Sequence, residues 1–477
     1  MNTSLVSRPN LSRRSLLAKA TQATGGLPLA FAGSAASLTA AGCGIGSGGD
    51  VAPPSTLGQS GPPIDVLFMR PANPAGVSGY TAQADAFNRK QTRVKARFET
   101  PALAQGEAWP AKLLAMLAAD AAPDCFTVNQ ADLAAWASSK VLLVLDPYMK
   151  RDAKQVDIVD FFVPHIAAGK WQGKQVAITP DGCALLEYYN VTLFQEAGVT
   201  APKPTWTWND YLDAGRRLTK KNSSGQVVQA GILPPAFGAA DFQPLMWLWS
   251  NGTDLLSDDF KKVRLAEPEA IEAIQFVVDL IQKQGATASS PGVDLGANPQ
   301  VAGKVAMWRT NRGFFGNLID VTSFKFNVVP IARSPRTNQS VTVTTPGHIG
   351  IAATNKHPDA AWEWHKYLTG TEAEIIASKL QATGCPSRKS ATQDATYMDY
   401  GVPALEAKSA NRAFFDVLSD PKMVRFVPNY IAMSDALGTF NKYALAAAKG
   451  EQSVPAALGS AKTEIEDLLR RKPQPQG

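Results

Sequence analysis

From Ile64 onward the chain alternates short apolar runs with stretches whose apolar residues recur every three to four positions. The run Ile64–Met69 predicts a buried strand, Tyr80–Lys90 a helix, and Val94, Ala96 and Phe98 a strand of period two. A helix over Trp109–Ala119 sets Leu113, Met116 and Leu117 on one face, and Cys125–Val128 and Val176–Ile178 read as further strands. Pro268 opens the clearest amphipathic pattern, with Ile271, Ile274, Val278 and Ile281 behind it. Pro358–Leu368 gives another, stopped by Gly370. Strands alternating with helices in this way predict an α/β fold with mostly parallel sheets. Such sheets bind ligands beyond the carboxyl ends of their strands, so residues just after strands carry the functional information.

Before Ile64 this alternation is missing. Residues 44–63 are rich in Gly, Ser and Pro and read as a flexible tether. Gly44, Gly46 and Gly49 match the spacing G-x-G-x-x-G, but no strand precedes them and no helix follows, so a dinucleotide site is not indicated. The first 42 residues contain Arg8, Arg13, Arg14 and Lys19 and no acidic residue, the layout of an export signal. Within it, Ser12-Arg13-Arg14-Ser15-Leu16-Leu17 resembles a twin-arginine address. Gly25, Gly26, Pro28 and Gly33 interrupt the apolar part, which is too broken for a spanning helix of about 20 residues. Leu38-Thr39-Ala40-Ala41-Gly42-Cys43 is similar to a bacterial lipobox, with Ala40 where Leu is more usual. That resemblance implies lipid on Cys43 and a membrane tether, with an ordinary signal peptide as the alternative.

Charge narrows the choice of partners. The whole chain carries a formal +6, but without the signal 43 basic residues face 41 acidic ones, a net +2. No basic run with interleaved aromatics remains, so nucleic acid is not an expected partner. At 45% hydrophobic and 18% charged, 477 residues can bury a large core and divide into more than one lobe.

Catalytic signatures are scarce. His165, His348, His357 and His365 form no H-E-x-x-H and no cluster with cysteine, so neither a metal nor another cofactor is expected. G-x-S-x-G and the phosphate loop G-x-x-x-x-G-K-[ST] are both missing. Carboxylates are numerous enough for a two-carboxylate glycosidase, yet no motif nominates a pair. Beyond Cys43 the chain has Cys125, Cys183 and Cys385, none at C-x-x-C spacing, and three buried free thiols are the expected state.

Several blocks in order resemble the family 1 extracellular solute-binding proteins of ABC transporters, across nearly all of residues 64–470. They are Ala86-Phe87-Asn88 with Val94–Phe98, and Pro123-Asp124-Cys125-Phe126 with Leu142–Tyr148. Next come Trp171–Pro180, leading into Tyr188-Tyr189-Asn190 through Gly198, and Pro204-Thr205-Trp206-Thr207-Trp208. Gly303–Met307 and Asn355–Trp362 close the series. The resemblance implies a two-lobed periplasmic-binding-protein fold, α/β in each lobe, with the ligand cleft between lobes joined by crossover segments. The crossovers are expected near Pro180–Cys183, Gly347–Ile349 and Cys385–Pro386. Lobe one is then 64–180 with 348–385, and lobe two 181–347 with 386–477. Because Cys183 and Cys385 both fall at crossovers, a disulfide between them is the alternative to free thiols.

The function implied is non-enzymatic: an exported cell-envelope protein takes a small polar solute, a mono- or oligosaccharide, and passes it to the permease subunits of an ABC importer. An exported glycoside-acting enzyme and a sensor lipoprotein are the alternatives. A sugar needs directional partners for its hydroxyls and aromatic platforms for its C–H faces. By position the ligand-binding candidates are Arg70 after the first strand, Asn129 and Gln130 after Cys125–Val128, and Asp181 and His348 at crossovers. Tyr430 follows Pro428-Asn429. Trp308, Arg309 and Phe314 follow a strand ending at Met307, and Trp247 and Trp249 sit on a helix where at most one can reach the cleft. Arg309, Arg312 and Arg388 could form a cluster for an anionic ligand.

Overall fold

The computed structural model describes residues 57–58, 61–72, 74–103, 108–235, 237–238, 241–283, 287, 293–380 and 384–472. Cys43, the twin-arginine stretch and most of the 43–63 tether lie outside these.

Two sheets organise the described chain. The first has four strands in the order His348–Ile351, Cys125–Val128, Ile64–Met69, Val94–Glu99. Its first three strands in sequence pair in parallel, as expected, while His348–Ile351 runs antiparallel to Cys125–Val128. The second has five strands, ordered Phe326–Val329, Leu186–Asn190, Val305–Thr310, Val227–Leu233, Lys220–Lys221. Only Val305–Thr310 and Val227–Leu233 are parallel there. The expectation of mostly parallel sheets is therefore corrected to mixed sheets: the returning crossover strands and the neighbours of Leu186–Asn190 pair antiparallel.

Each sheet has its own apolar core. Val66, Phe68, Ile349, Trp362 and Trp364 pack around the first sheet, where the helix Pro358–Leu368 buries Trp362, Trp364, His365 and Leu368. Around the second, the helix Pro268–Gln282 buries Ile274, Val277, Val278 and Ile281 behind its N-terminal proline. Each such side chain contributes about 1.5–3 kcal/mol by leaving water. A reciprocal capping box starts the helix Trp208–Leu218: Asp210 N donates to Thr207 Oγ1, and Thr207 N donates to the Asp210 carboxylate. The expected strand Val176–Ile178 is not one. Only Ile178 makes a bridge, to Ile349, and the local hairpin pairs Lys170–Trp171 with Lys174–Gln175 instead.

Between the two cores lies a ribbon of crossovers. Gly182–Ala184 pairs antiparallel with Thr342–Pro346, which also pairs with Val424–Arg425. Asp181 bridges Pro386, and Gly182 N donates to Cys385 O at 3.0 Å. These adjacent strands place the Cα atoms of Cys183 and Cys385 5.0 Å apart, and the two cysteines are disulfide-bonded. The expectation of three free thiols is corrected accordingly. Among the described residues Cys125 alone is free, and it is buried.

Candidate functional site

The crossover Thr342–Pro346 continues through Gly347 into His348, and three groups of side chains gather on this run. Gly347 has no Cβ because one would overlap the Asp181 carboxylate and the Arg70 guanidinium. Arg70 leaves the end of its strand to pair with Asp181 at 3.3 Å and lies over the Tyr80 ring at 5.3 Å. Thr179 Oγ1 donates to Asp181 O, which also accepts Gly347 N at 2.9 Å, so the turn carrying Asp181 is fixed from both sides.

His348 is wholly buried, and burial, with His165 nearby, holds its imidazole down to about 3. The neutral ring contacts Gln130 Oε1 through Nε2 at 2.6 Å. Because Gln130 Nε2 donates to Asn429 Oδ1 at 2.6 Å and to Ala168 O at 3.2 Å, its Oε1 is the acceptor, which assigns the proton to His348 Nε2. Asn129 Nδ2 donates to Asp132 Oδ2 at 3.0 Å, and Ser434 Oγ donates to Asp132 Oδ1 at 3.1 Å.

Beside this network is a cavity of about 450 Å³. Asn129, Gln130, Ala131 and Asp132 line it from the first sheet's side, and Phe242, Val427, Ser434 and Leu437 from the other. Thr344, Thr345 and Pro346 form its wall at the crossover. The cavity thus combines planar amides, one carboxylate and hydroxyls with an aromatic ring and aliphatic groups. That mixture orients a small polar molecule by hydrogen bonds while covering its apolar faces.

Of the expected ligand residues, Arg70, Asn129, Gln130, Asp181 and His348 come together here. Five others do not. The strand expected to end at Met307 runs on to Thr310, so Trp308 and Arg309 alternate within the sheet. Trp308 is 1% exposed and packs on Tyr188 at 5.5 Å, inside the core. Arg309 pairs with buried Glu187 at 2.8 Å and lies over the Trp247 ring at 4.7 Å. Trp247 also packs on Trp208 at 5.2 Å, and Trp249 lies under Arg425 at 4.9 Å; both tryptophans are core residues. Tyr430 is buried, stacked on Phe260, and donates its hydroxyl to Lys472 O at 2.8 Å. Phe314 is half-buried beside Trp308 and Tyr188 and does not line the cavity.

The arginine cluster also dissolves. Arg312 bonds Asn411 and Gly384 O, and Arg388 bonds Thr369 O and Val156 O, while Arg309 holds Glu187. Each guanidinium satisfies a different buried region. Sequence reasoning missed Asp132, Phe242, Thr344, Thr345, Asn429, Ser434 and Leu437. For the first, the polar run Asn129-Gln130-Ala131-Asp132 after an apolar strand was the available signal.

Two α/β cores joined by three crossover segments, with polar side chains gathered at the junction, define the two-lobed binding-protein fold with a cleft between its lobes. Solved structures share it. An ABC substrate-binding protein of Listeria monocytogenes in complex with cycloalternan superposes with a TM-score of 0.72 at 20% identity, covering 86% of this chain and 99% of that one. The cyclic α-maltosyl-1,6-maltose binding protein of Arthrobacter globiformis gives 0.71 at 21% identity, over 86% and 100%. By sequence, an arabinooligosaccharide-binding protein of Halalkalibacterium halodurans is 28% identical over 109 residues, 23% of this chain and 22% of that protein. The family model for bacterial extracellular solute-binding proteins matches residues 71–375, and the chain belongs to that family. Its members are exported binding proteins. Among the described residues no helix is long and apolar enough to cross a membrane.

Proposed function

We propose that this protein captures a neutral carbohydrate in the cavity at the crossover run and delivers it to an ABC importer, without chemical change to the ligand. The observation that carries the reading is the convergence of Asn129, Gln130 and Asp132 with Phe242, Thr345 and Ser434 around one cavity. Planar amides and a carboxylate suit vicinal hydroxyls, and the ring suits a sugar face. Among the described residues that lining has one acidic group and no basic one, which disfavours an anionic ligand. Lobe one consists of 64–180 with 348–385 and lobe two of 181–347 with 386–477. Closing them about the crossovers removes water from the ligand's hydrogen bonds and presents a new shape to the permease. Arg70, Asp181 and His348 position the crossover, and Asn129 and Gln130 contact the ligand.

A thermal-shift and calorimetric panel of maltose, mannotriose, cycloalternan and arabinooligosaccharides tests the function. A ligand that binds only the folded state raises the melting temperature by mass action. Gln130→Ala should weaken that ligand at least about tenfold, corresponding to roughly 1.4 kcal/mol. No shift with any sugar, or hydrolysis of a bound glycoside, would refute the reading. Lipid on Cys43 predicts that Cys43→Ala releases the protein from the membrane fraction.

A further inference from the structure

A larger cavity, of about 800 Å³, lies across a thin wall from the first. Val427 faces the smaller cavity, while the next two residues, Pro428 and Asn429, line the larger. Asn429 is the pin of this wall: its Nδ2 donates to Ala168 O at 2.9 Å and Lys170 O at 2.7 Å, and its Oδ1 accepts Gln130 Nε2. One side of the larger cavity is Pro164, Ala167 and Trp171, from the segment packed on the first sheet's body. The other is built from 254–260 and 421–428, packed on the second.

Its size falls in the range of about 300–1,000 Å³ typical of small-molecule sites. Its chemistry is equally definite. Trp171, Phe260 and Phe426 bring three rings to one space, and Phe260 is held by stacking on Tyr430, 5.7 Å between centroids. Arg425 donates to Asp254 at 2.8 Å, with the carboxylate 7% and the guanidinium 41% exposed, so a rigid planar donor group faces the cavity. Asp254, Asp258 and Asp259 outnumber Arg425, the single basic residue in the lining among the described residues, which disfavours an anion. Rings for C–H faces beside a fixed fork of donors and carboxylate acceptors match a neutral polyhydroxylated ring.

We infer that this groove is a second carbohydrate site, in which a sugar ring packs on Phe426 and Trp171 and hydrogen-bonds to the Arg425–Asp254 pair. The ligand class rests on the carbohydrate reading above; the location rests on this groove alone. Since its walls belong to the two separate cores, an occupant bridges them.

Calorimetric titration of the full chain with maltose, mannotriose and cycloalternan tests the inference. The expected result is two sites per chain for at least one of these sugars. Phe426→Ala and Arg425→Met should each weaken one site at least tenfold and leave the other within a factor of two, and Phe242→Ala, in the lining of the smaller cavity alone, should do the converse. Far-UV circular dichroism checks each variant's fold. If Arg425→Met unfolds by leaving Asp254 buried alone, the half-buried Phe426→Ala decides. A single site untouched by Phe426→Ala overturns this inference and leaves the carbohydrate reading standing if Gln130→Ala abolishes that site. No binding of any sugar overturns both.

Discussion

Replacing Arg309 with Met tests whether this residue belongs to the core, as the geometry has it, or to the ligand. Arg309 and Glu187 face each other in register on neighbouring antiparallel strands, and Nε and Nη2 of Arg309 both donate to Glu187 Oε2, at 3.0 and 2.8 Å. The Tyr211 hydroxyl donates to the other carboxylate oxygen at 3.3 Å. The two side chains are 4% and 0% exposed, so solvent does not screen the pair. Removing one partner of such a pair costs about 3–5 kcal/mol, because the survivor is left buried and uncompensated. Burial already pushes the Glu187 carboxyl upward against the pull of Arg309. Without the arginine the upward push is opposed only by the Tyr211 hydrogen bond, and the folded state holds its proton more tightly than the unfolded one. Stability therefore falls as pH rises from the ordinary carboxylate value through the raised one, and the penalty should be smaller at pH 5 than at pH 8. Urea unfolding followed by tryptophan fluorescence at both values measures this. Arg309→Met with Glu187→Leu should recover most of the loss, since a buried pair exchanged for apolar groups is often neutral. A loss below about 1 kcal/mol with ligand affinity abolished would refute the assignment and return Arg309 to the binding site.

Trp308→Ala should lower stability by about 3–5 kcal/mol through the cavity it leaves, with ligand affinity at 15 °C changed by less than a few-fold; an affinity loss without destabilisation would restore its expected role as a platform. Cys183→Ser with Cys385→Ser opens a loop closed across a sequence separation of 202, worth about 5 kcal/mol in the chain-entropy model, and should lower the melting temperature under non-reducing conditions. An unchanged melting temperature would show that the bond contributes nothing. His165, His348 and His365 are buried and held by that burial to about 3, 3 and 4. Depressed folded values mean that the unfolded chain takes up protons first, so stability falls as pH drops below about 6.5. Three such groups give a slope of up to about 4 kcal/mol per pH unit. A melting temperature flat between pH 7 and 5 would contradict this.

How far the sequence could be read follows from the range of the forces involved. Ile64–Met69, Cys125–Val128 and Pro358–Leu368 emerge with their expected bounds, because a buried strand and a proline-started helix are set by neighbours in the chain. Arg70, Gln130 and His348 do lie at the crossover run, because residues that leave a strand at the carboxyl edge, or stand at a crossover, have few other places to go. The tryptophans misled for the converse reason. Trp308 lies one residue past the point where the strand was expected to stop, and in a period-two element one residue exchanges one face of the sheet for the other. The parts played by Asn429 and Ser434 were invisible, since these residues meet Gln130 and Asp132 only across separations of about 300 residues.

That long-range meeting also explains why the polar groups here are chosen as they are. An apolar contact between Gln130 and Asn429 would hold the two cores together by area alone and tolerate sliding. Two hydrogen bonds of 2.6 Å, from Gln130 to Asn429 and between Gln130 and His348, fix direction as well as distance. The imidazole between them is useful because it is neutral: a charged His348 would need a counter-ion in a region where Asp181 is already paired with Arg70. Burial supplies the neutrality and the crossover supplies the position. The same few residues therefore set both the register of the two bodies and the polar rim of the cavity between them. On the proposed function a substitution at Gln130 should therefore disturb ligand and closure together, whereas one at Trp308 should disturb only the core.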